Sequence, residues 1–440
     1  MATTRRQFIK KTGSIALGAA GLGALGTRTV FGAADSATPD KPTLVVLYLR
    51  GGSDPLNALI PYGDRTYYNL RPTIAVPSPG EDGNIRNQVI ALNDYFGFHP
   101  SMAGLARLYK KGLMAPIVNA GSTHPTRSHF DAQDFMERAA PGVKSVTEGW
   151  LNRYLYMTKT GDDSDLRAVA FQPVLPRSLR GQYPALAVPD ANTQKAADVF
   201  AGLYGCDDAK ATAKAQSPSS ESQSSGAEDE PKQATGQARI IEAGAQGIVR
   251  LDRLNEVLSA NKLASSGKYP KTNLGRQFRD IAKLIKAGAG LEVASIDYNG
   301  WDHHAMQGAS YGVFSEMMGN VSNTLEAFVE DLGPKIDQTV VLTMSEFGRT
   351  ARENGNSGSD HGHGGYMLAV GGPIKGGRFY GKWTGLSSRS LYQGRDLPVH
   401  TDFRDVFAEI LAGLYGFQAD DHQFFPQYDA NEKALGLMKT

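Results

Sequence analysis

The sequence predicts an α/β protein, with a mostly parallel central sheet flanked by helices and a helical subdomain inserted into it. Three observations carry that expectation. Short apolar, β-branched runs occupy residues 43–49, 115–121 and 339–343, and a fourth opens the stretch 291–304; strands covered on both faces read this way. Each run stops abruptly at glycines and at acidic, imidazole or hydroxyl groups. Between them lie segments with apolar positions three and four apart, such as 101–111, 241–263 and 274–287, the spacing of helices with one buried face.

Composition narrows the function. At 440 residues, 41% hydrophobic and 21% charged, the chain is long enough for one large α/β domain with an insertion, or for two domains. A formal net charge of +1 gives no electrostatic case for nucleic acid. The single cysteine, Cys206, excludes an internal disulfide framework and has no neighbour at metal-ligand spacing.

Residues 1–35 read as a targeting segment. Thr4-Arg5-Arg6-Gln7-Phe8-Ile9-Lys10 resembles the twin-arginine export signature, and a mildly apolar stretch, too short and too glycine-rich to anchor in a membrane, follows it. The expected partner during export is the twin-arginine translocase, and the expected destination is the periplasm or the cell exterior. The first strand, 43–49, runs into Arg50-Gly51-Gly52-Ser53-Asp54, where Arg50 offers an anion fork and Asp54 a metal ligand unless the segment is a plain turn. A helix over 101–111 leads to the strand 115–121. The next helix starts near Ser128 and runs to about Arg138. Ser128 is then either its cap or a nucleophile in the positive field of the helix terminus, with Arg127 or His129 to assist.

A helix over 149–156 and a strand over 168–176 follow. Residues 207–238 carry almost no apolar side chains and read as a disordered loop within a helical insertion spanning 190–290, which divides the α/β core into 36–189 and 291–440. Later come a strand over 366–371, an edge hairpin at 377–381 and a helix over 402–415.

Chemistry concentrates in two of the strand ends. The stretch 291–304 releases Asp297, Asp302, His303 and His304 after a glycine turn. The strand 339–343 gives way to Ser345-Glu346-Phe347-Gly348-Arg349, then to Asp360, His361 and His363 between glycines. Four of the nine histidines fall in these stretches, and His129 adds another. Sites in open α/β sheets lie beyond the carboxyl ends of the strands, so the two loops are the place for a metal or proton-transfer centre; the competing reading is a solvated polar loop.

Taken together, Arg50-Gly51-Gly52-Ser53-Asp54, Arg127-Ser128-His129, Gly300-Trp301-Asp302 with His304, Ser345-Glu346-Phe347-Gly348-Arg349 and Asp360-His361-Gly362-His363 resemble the bacterial family called domain of unknown function 1501. That family in turn is similar to the alkaline phosphatase and sulfatase superfamily. The resemblance implies an alkaline phosphatase-like core and a metal site at the strand ends. It assigns Ser128 as nucleophile and Asp54, Asp302, His304, and His361 or His363 as ligands of a divalent ion: zinc, manganese, magnesium or calcium. In a hydrolase of this kind Arg50 or Arg349 would clamp the anion. Asp302-x-His304 replaces the superfamily's wider spacing and Glu346 replaces its late acid, so one metal or none is expected. Two functions follow: a hydrolase of phosphate or sulfate esters acting on an anionic small molecule or glycan ester, or a non-catalytic binding or assembly protein that kept a polar anion or glycan site.

Overall fold

The run after Pro42 has apolar side chains on both of its faces, so it lies deep in the sheet. The computed structural model describes residues 41–81, 83–188, 236–260, 265, 267–419, 424–428 and 434–439. In chain order its strands are β1 (Thr43–Arg50), β2 (Leu59–Ile60), β3 (Ile90–Ala91), β4 (Gly97–Phe98), β5 (Met114–Gly121), β6 (Ala168–Ala170), β7 (Leu186–Ala187), β8 (Val293–Asn299), β9 (Thr339–Met344), β10 (Gly365–Gly371) and β11 (Thr401–Asp402). The helices are α1 (Pro55–Ala58), α2 (Arg65–Leu70), α3 (Ala103–Lys110), α4 (His129–Arg138), α5 (Trp150–Met157), α6 (Gly236–Ser259), α7 (Asn273–Lys286), α8 (Val313–Leu332) and α9 (Phe403–Tyr415).

Eight strands form one sheet in the order β11-β5-β10-β9-β1-β8-β6-β7, and β2, β4 and β3 form a small antiparallel one. All pairings in the large sheet are parallel except those of β10, which runs antiparallel to β9 and β5. The chain between β9 and β10 turns back at the carboxyl end of β9, so both ends of that loop emerge on the same side as the ends of β1, β5 and β8.

Alternation along β1 separates two cores. Val45, Leu47 and Leu49 face a cluster containing Leu105 of α3, Leu254 of α6, Phe278 and Ile281 of α7 and Phe314 and Leu325 of α8. Leu44, Val46 and Tyr48 face the other cluster, with Trp150 and Leu151 of α5 and Phe407 and Ile410 of α9. Trp150 stacks on Phe407 with ring centroids 4.1 Å apart, locking α5 to α9.

Several expected elements change. The strand predicted over 168–176 shortens to β6: Phe171 still donates to the Ser295 carbonyl, but Pro173 has no N–H with which to continue the ladder. Instead of an edge hairpin at 377–381, Tyr380 makes one bridge to Ile117 of β5. Of the predicted loop 207–238, residues 236–238 open α6, while 207–235 lie outside the described residues, as do 190–206 of the insertion and the export signal at 1–35. Among the described residues, no helix is long and apolar enough to cross a membrane.

Candidate metal centre

Three parallel strands and one loop deliver the site. Beyond β5 the chain crosses seven residues and enters α4 with His129 as its first helical position. Beyond β8, Trp301 donates its N–H to the Arg50 carbonyl, extending the β1–β8 ladder and presenting Asp302. Gly51 makes this approach possible: it holds φ +122°, and a Cβ there would stand 2.6 Å from the Asp302 nitrogen. After β9 the loop folds on itself, with Arg349 bridged to His361 and the Thr350 N–H donated to the Asp360 carbonyl. His361 thereby returns to the end of β9.

The imidazoles converge through their Nε2 atoms. His361 Nε2 lies 2.9 Å from His129 Nε2 and 2.9 Å from His304 Nε2. Asp302 completes the cluster, with Oδ1 3.0 Å from His304 and 3.2 Å from His361, and Oδ2 3.4 Å from His129. Donor atoms of His129, Asp302 and His361 all lie within 4.8 Å of one another. Arg349 is buried and donates from Nη1 to Asp302 Oδ1 at 2.8 Å.

The far sides of the three rings are all held by acceptors. His129 Nδ1 donates to Glu346 Oε1 at 2.7 Å, His304 Nδ1 to Asp360 Oδ1 at 2.9 Å, and His361 Nδ1 to the Arg127 carbonyl at 2.9 Å. Burial works against ionising Glu346, but its bonds from His129 and Gln133 outweigh it and hold the carboxyl below the ordinary range. The Asn354 amide does the same for Asp360. Both carboxylates can therefore only accept, so Nδ1 carries a proton in each ring, and Nε2 turns inward with a lone pair wherever the ring is neutral. Three lone pairs packed at such distances repel unless protons or a cation lie among them. The Glu346 bond raises the pKa of His129 and burial lowers that of His361, so one shared proton suits the first contact. A single divalent ion suits the His129, Asp302 and His361 donors.

The donor set fits such an ion. Ligand atoms about 2.0–2.1 Å from one tetrahedral zinc lie roughly 3.3 Å apart, against 2.9 Å between His129 and His361, 3.2 Å from His361 to Asp302 Oδ1 and 3.4 Å from His129 to Asp302 Oδ2. Imidazole Nε2 backed by a carboxylate or carbonyl at Nδ1 is the usual outer support of a metal-binding histidine. Imidazole donors, His129 and His361 here, favour zinc or another transition ion over magnesium and calcium, which prefer oxygen.

Of the residues singled out from sequence, Asp302, His304 and His361 meet here, and His129 joins them as a donor. Ser128 caps α4 only with its backbone: it is exposed, and its hydroxyl makes no capping bond. Three assignments change. Asp54 is fully engaged: Oδ1 accepts from the Leu56 N–H and from Arg71 Nη2, and Oδ2 accepts from Arg71 Nη1 and Gln307 Nε2, leaving no lone pair for an ion. His363 is buried with its ring stacked on Tyr392 at 4.2 Å, apart from the cluster. Arg50 is committed to Glu137 at 3.0 Å and Asp297 at 2.7 Å, which removes it as an anion clamp. Glu346 supports His129 and also accepts from the Gly51 N–H at 2.9 Å, tying β1 to the site. His303 is buried against Trp301 and Phe314.

The family described as "Protein of unknown function (DUF1501)" matches residues 41–424, and the chain belongs to it. No curated protein matches. Among solved structures, one titled "Crystal structure of Ps i-CgsB" is similar over 89% of this chain and 75% of its own, at 11% identity and a TM-score of 0.35.

Proposed function

We propose that this member of the family is a metal-dependent hydrolase of phosphate or sulfate esters. The observation that carries the reading is the convergence of three imidazole Nε2 atoms and the Asp302 carboxylate beside an unengaged serine hydroxyl at a helix N-terminus. His129, Asp302 and His361 would hold the ion, with His304 against Asp302 and His361 at its edge, and the ion would supply positive charge against the ester oxygens. Ser128 sits one residue from His129, in the positive field of α4. Its Oγ forms a bond to phosphorus or sulfur as the ester bond breaks, and its proton leaves with the departing alcohol. Water then cleaves the seryl ester and restores the hydroxyl. Arg349 holds Asp302 in place through Nη1, and its Nη2 has no hydrogen-bond partner.

A binding or assembly role is favoured by one observation: Asp54 and Arg50, which a larger anion-handling site would use, are spent on buried ion pairs. Turnover separates the readings. Metal-loaded protein assayed on a panel of aryl phosphates and sulfates should hydrolyse at least one, and Ser128→Ala should abolish it; no turnover on any ester favours the binding role. Export through the twin-arginine translocase to the periplasm or cell exterior belongs to the same proposal. Its support is the motif around Arg5 and Arg6, and residues 1–40 lie outside the described residues.

A further inference from the structure

Helix α4 contributes a row of side chains, not His129 alone, to the strand ends. His129, Gln133 and Glu137 stand four residues apart, the spacing that aligns side chains on one face of a helix. The first two grip the same atom: His129 Nδ1 and Gln133 Nε2 donate to Glu346 Oε1 at 2.7 and 2.9 Å. The last two meet at another. Arg50 Nη1 donates to Gln133 Oε1 at 3.2 Å and to Glu137 Oε2 at 3.0 Å. Gln133 thus joins the ion pairs beyond β1 to the carboxylate that supports a metal ligand.

The donors and acceptors on this path fit in one order only. A guanidinium can only donate and a carboxylate only accept, whereas a glutamine amide does one at each end. Turned end for end, the Gln133 amide would set N–H against N–H at Arg50 and oxygen against oxygen at Glu346. Arg50 has no freedom to follow such a turn: its Nε is paired with Asp297 at 2.7 Å, and its guanidinium carbon lies 4.2 Å from the centre of the Tyr48 ring. Glu346 is buried, so a donor lost there is not replaced by bulk water. The Arg50 cluster therefore fixes the amide, and the amide helps to fix the oxygen that His129 uses.

We propose that Gln133 is a positioning residue for the metal ligand His129, oriented by Arg50 and acting through the Glu346 carboxylate. The inference rests on the metal centre of the proposed function and is independent of the ester chemistry. Its test is zinc affinity, measured on the full-length protein by competition with a chelating dye, in two backgrounds. Gln133→Met keeps the size of the side chain and removes both bonds, and zinc should bind about tenfold more weakly. Gln133→Glu keeps an acceptor for Arg50 but no donor for Glu346, and should weaken zinc as well. Charge-assisted bonds are about twice as strong as neutral ones, so in a Glu346→Gln background the effect of Gln133→Met should shrink to about threefold. A residue that mattered only to the fold would lower affinity by the same factor in both backgrounds. Unchanged zinc affinity in both Gln133 variants, or an equal loss beside Glu346→Gln, would overturn the positioning role alone. A native protein that takes up no zinc would overturn the metal centre together with it.

Discussion

The turn after β1 and the cluster formed beyond β5, β8 and β9 present similar chemistry at similar places, strand ends rich in glycine, carboxylate and cationic side chains. They use it in opposite ways. In the first, every charge has found a buried counter-charge: Asp54 with Arg71, whose side chains are 1% and 0% exposed, and Arg50 with Glu137 and Asp297. In the second, the four clustered side chains are 22–44% exposed, and apart from the Arg349 bond to Asp302 their inward atoms face each other. A strand end can serve as a site when the fold leaves some of its polar atoms facing one another; where each is matched to a buried counter-charge, the same residue types become struts.

The largest expected effect breaks the strut. Arg71→Leu leaves the Asp54 carboxylate buried and uncompensated, so denaturant unfolding should show a loss of about 3–5 kcal/mol, while the folded fraction keeps its metal. Acidity probes the same pair. Burial raises the Asp54 pKa, but the Arg71 pairing and hydrogen bonds outweigh it and hold the value below the ordinary 3.8. Its contribution to stability is therefore complete above the unfolded pKa and lost as pH falls through the depressed folded one. Asp54→Asn should flatten the native protein's stability loss below about pH 4.

On the site side, Glu346→Gln keeps an acceptor for His129 but removes the charge that supports it. Competition with a chelator should show metal affinity lowered about 10–100-fold. The smallest effect belongs to His363. Replacing it with Phe preserves a ring against Tyr392, so thermal unfolding should move by less than about 1.5 kcal/mol, and metal content should not move at all.

Much of this was legible in the chain. Strands with two buried faces announce themselves by unbroken apolar runs, and the lengths of β1, β5 and β9 match those runs closely. Asp302, His304 and His361 stood out because imidazoles and a carboxylate followed buried strands. His129 was visible only as an assistant to Ser128, since its place in the cluster depends on β5 and β9 lying two strands apart. The fate of Asp54 was hidden for the same reason: its partners Arg71 and Gln307 are 17 and 253 positions away, and no local pattern records such pairings. His363 shares its dipeptide spacing with His361, but the local ladder that turns His361 inward leaves His363 against Tyr392.

Elemental analysis of natively purified protein decides whether the cluster holds an ion, with His361→Ala, Asp302→Ala and His363→Ala measured beside it. About one equivalent of a transition metal, most simply zinc, is expected in the native protein and in His363→Ala, and none in the other two. A native protein without metal, or one whose metal survives His361→Ala and Asp302→Ala, would contradict that expectation.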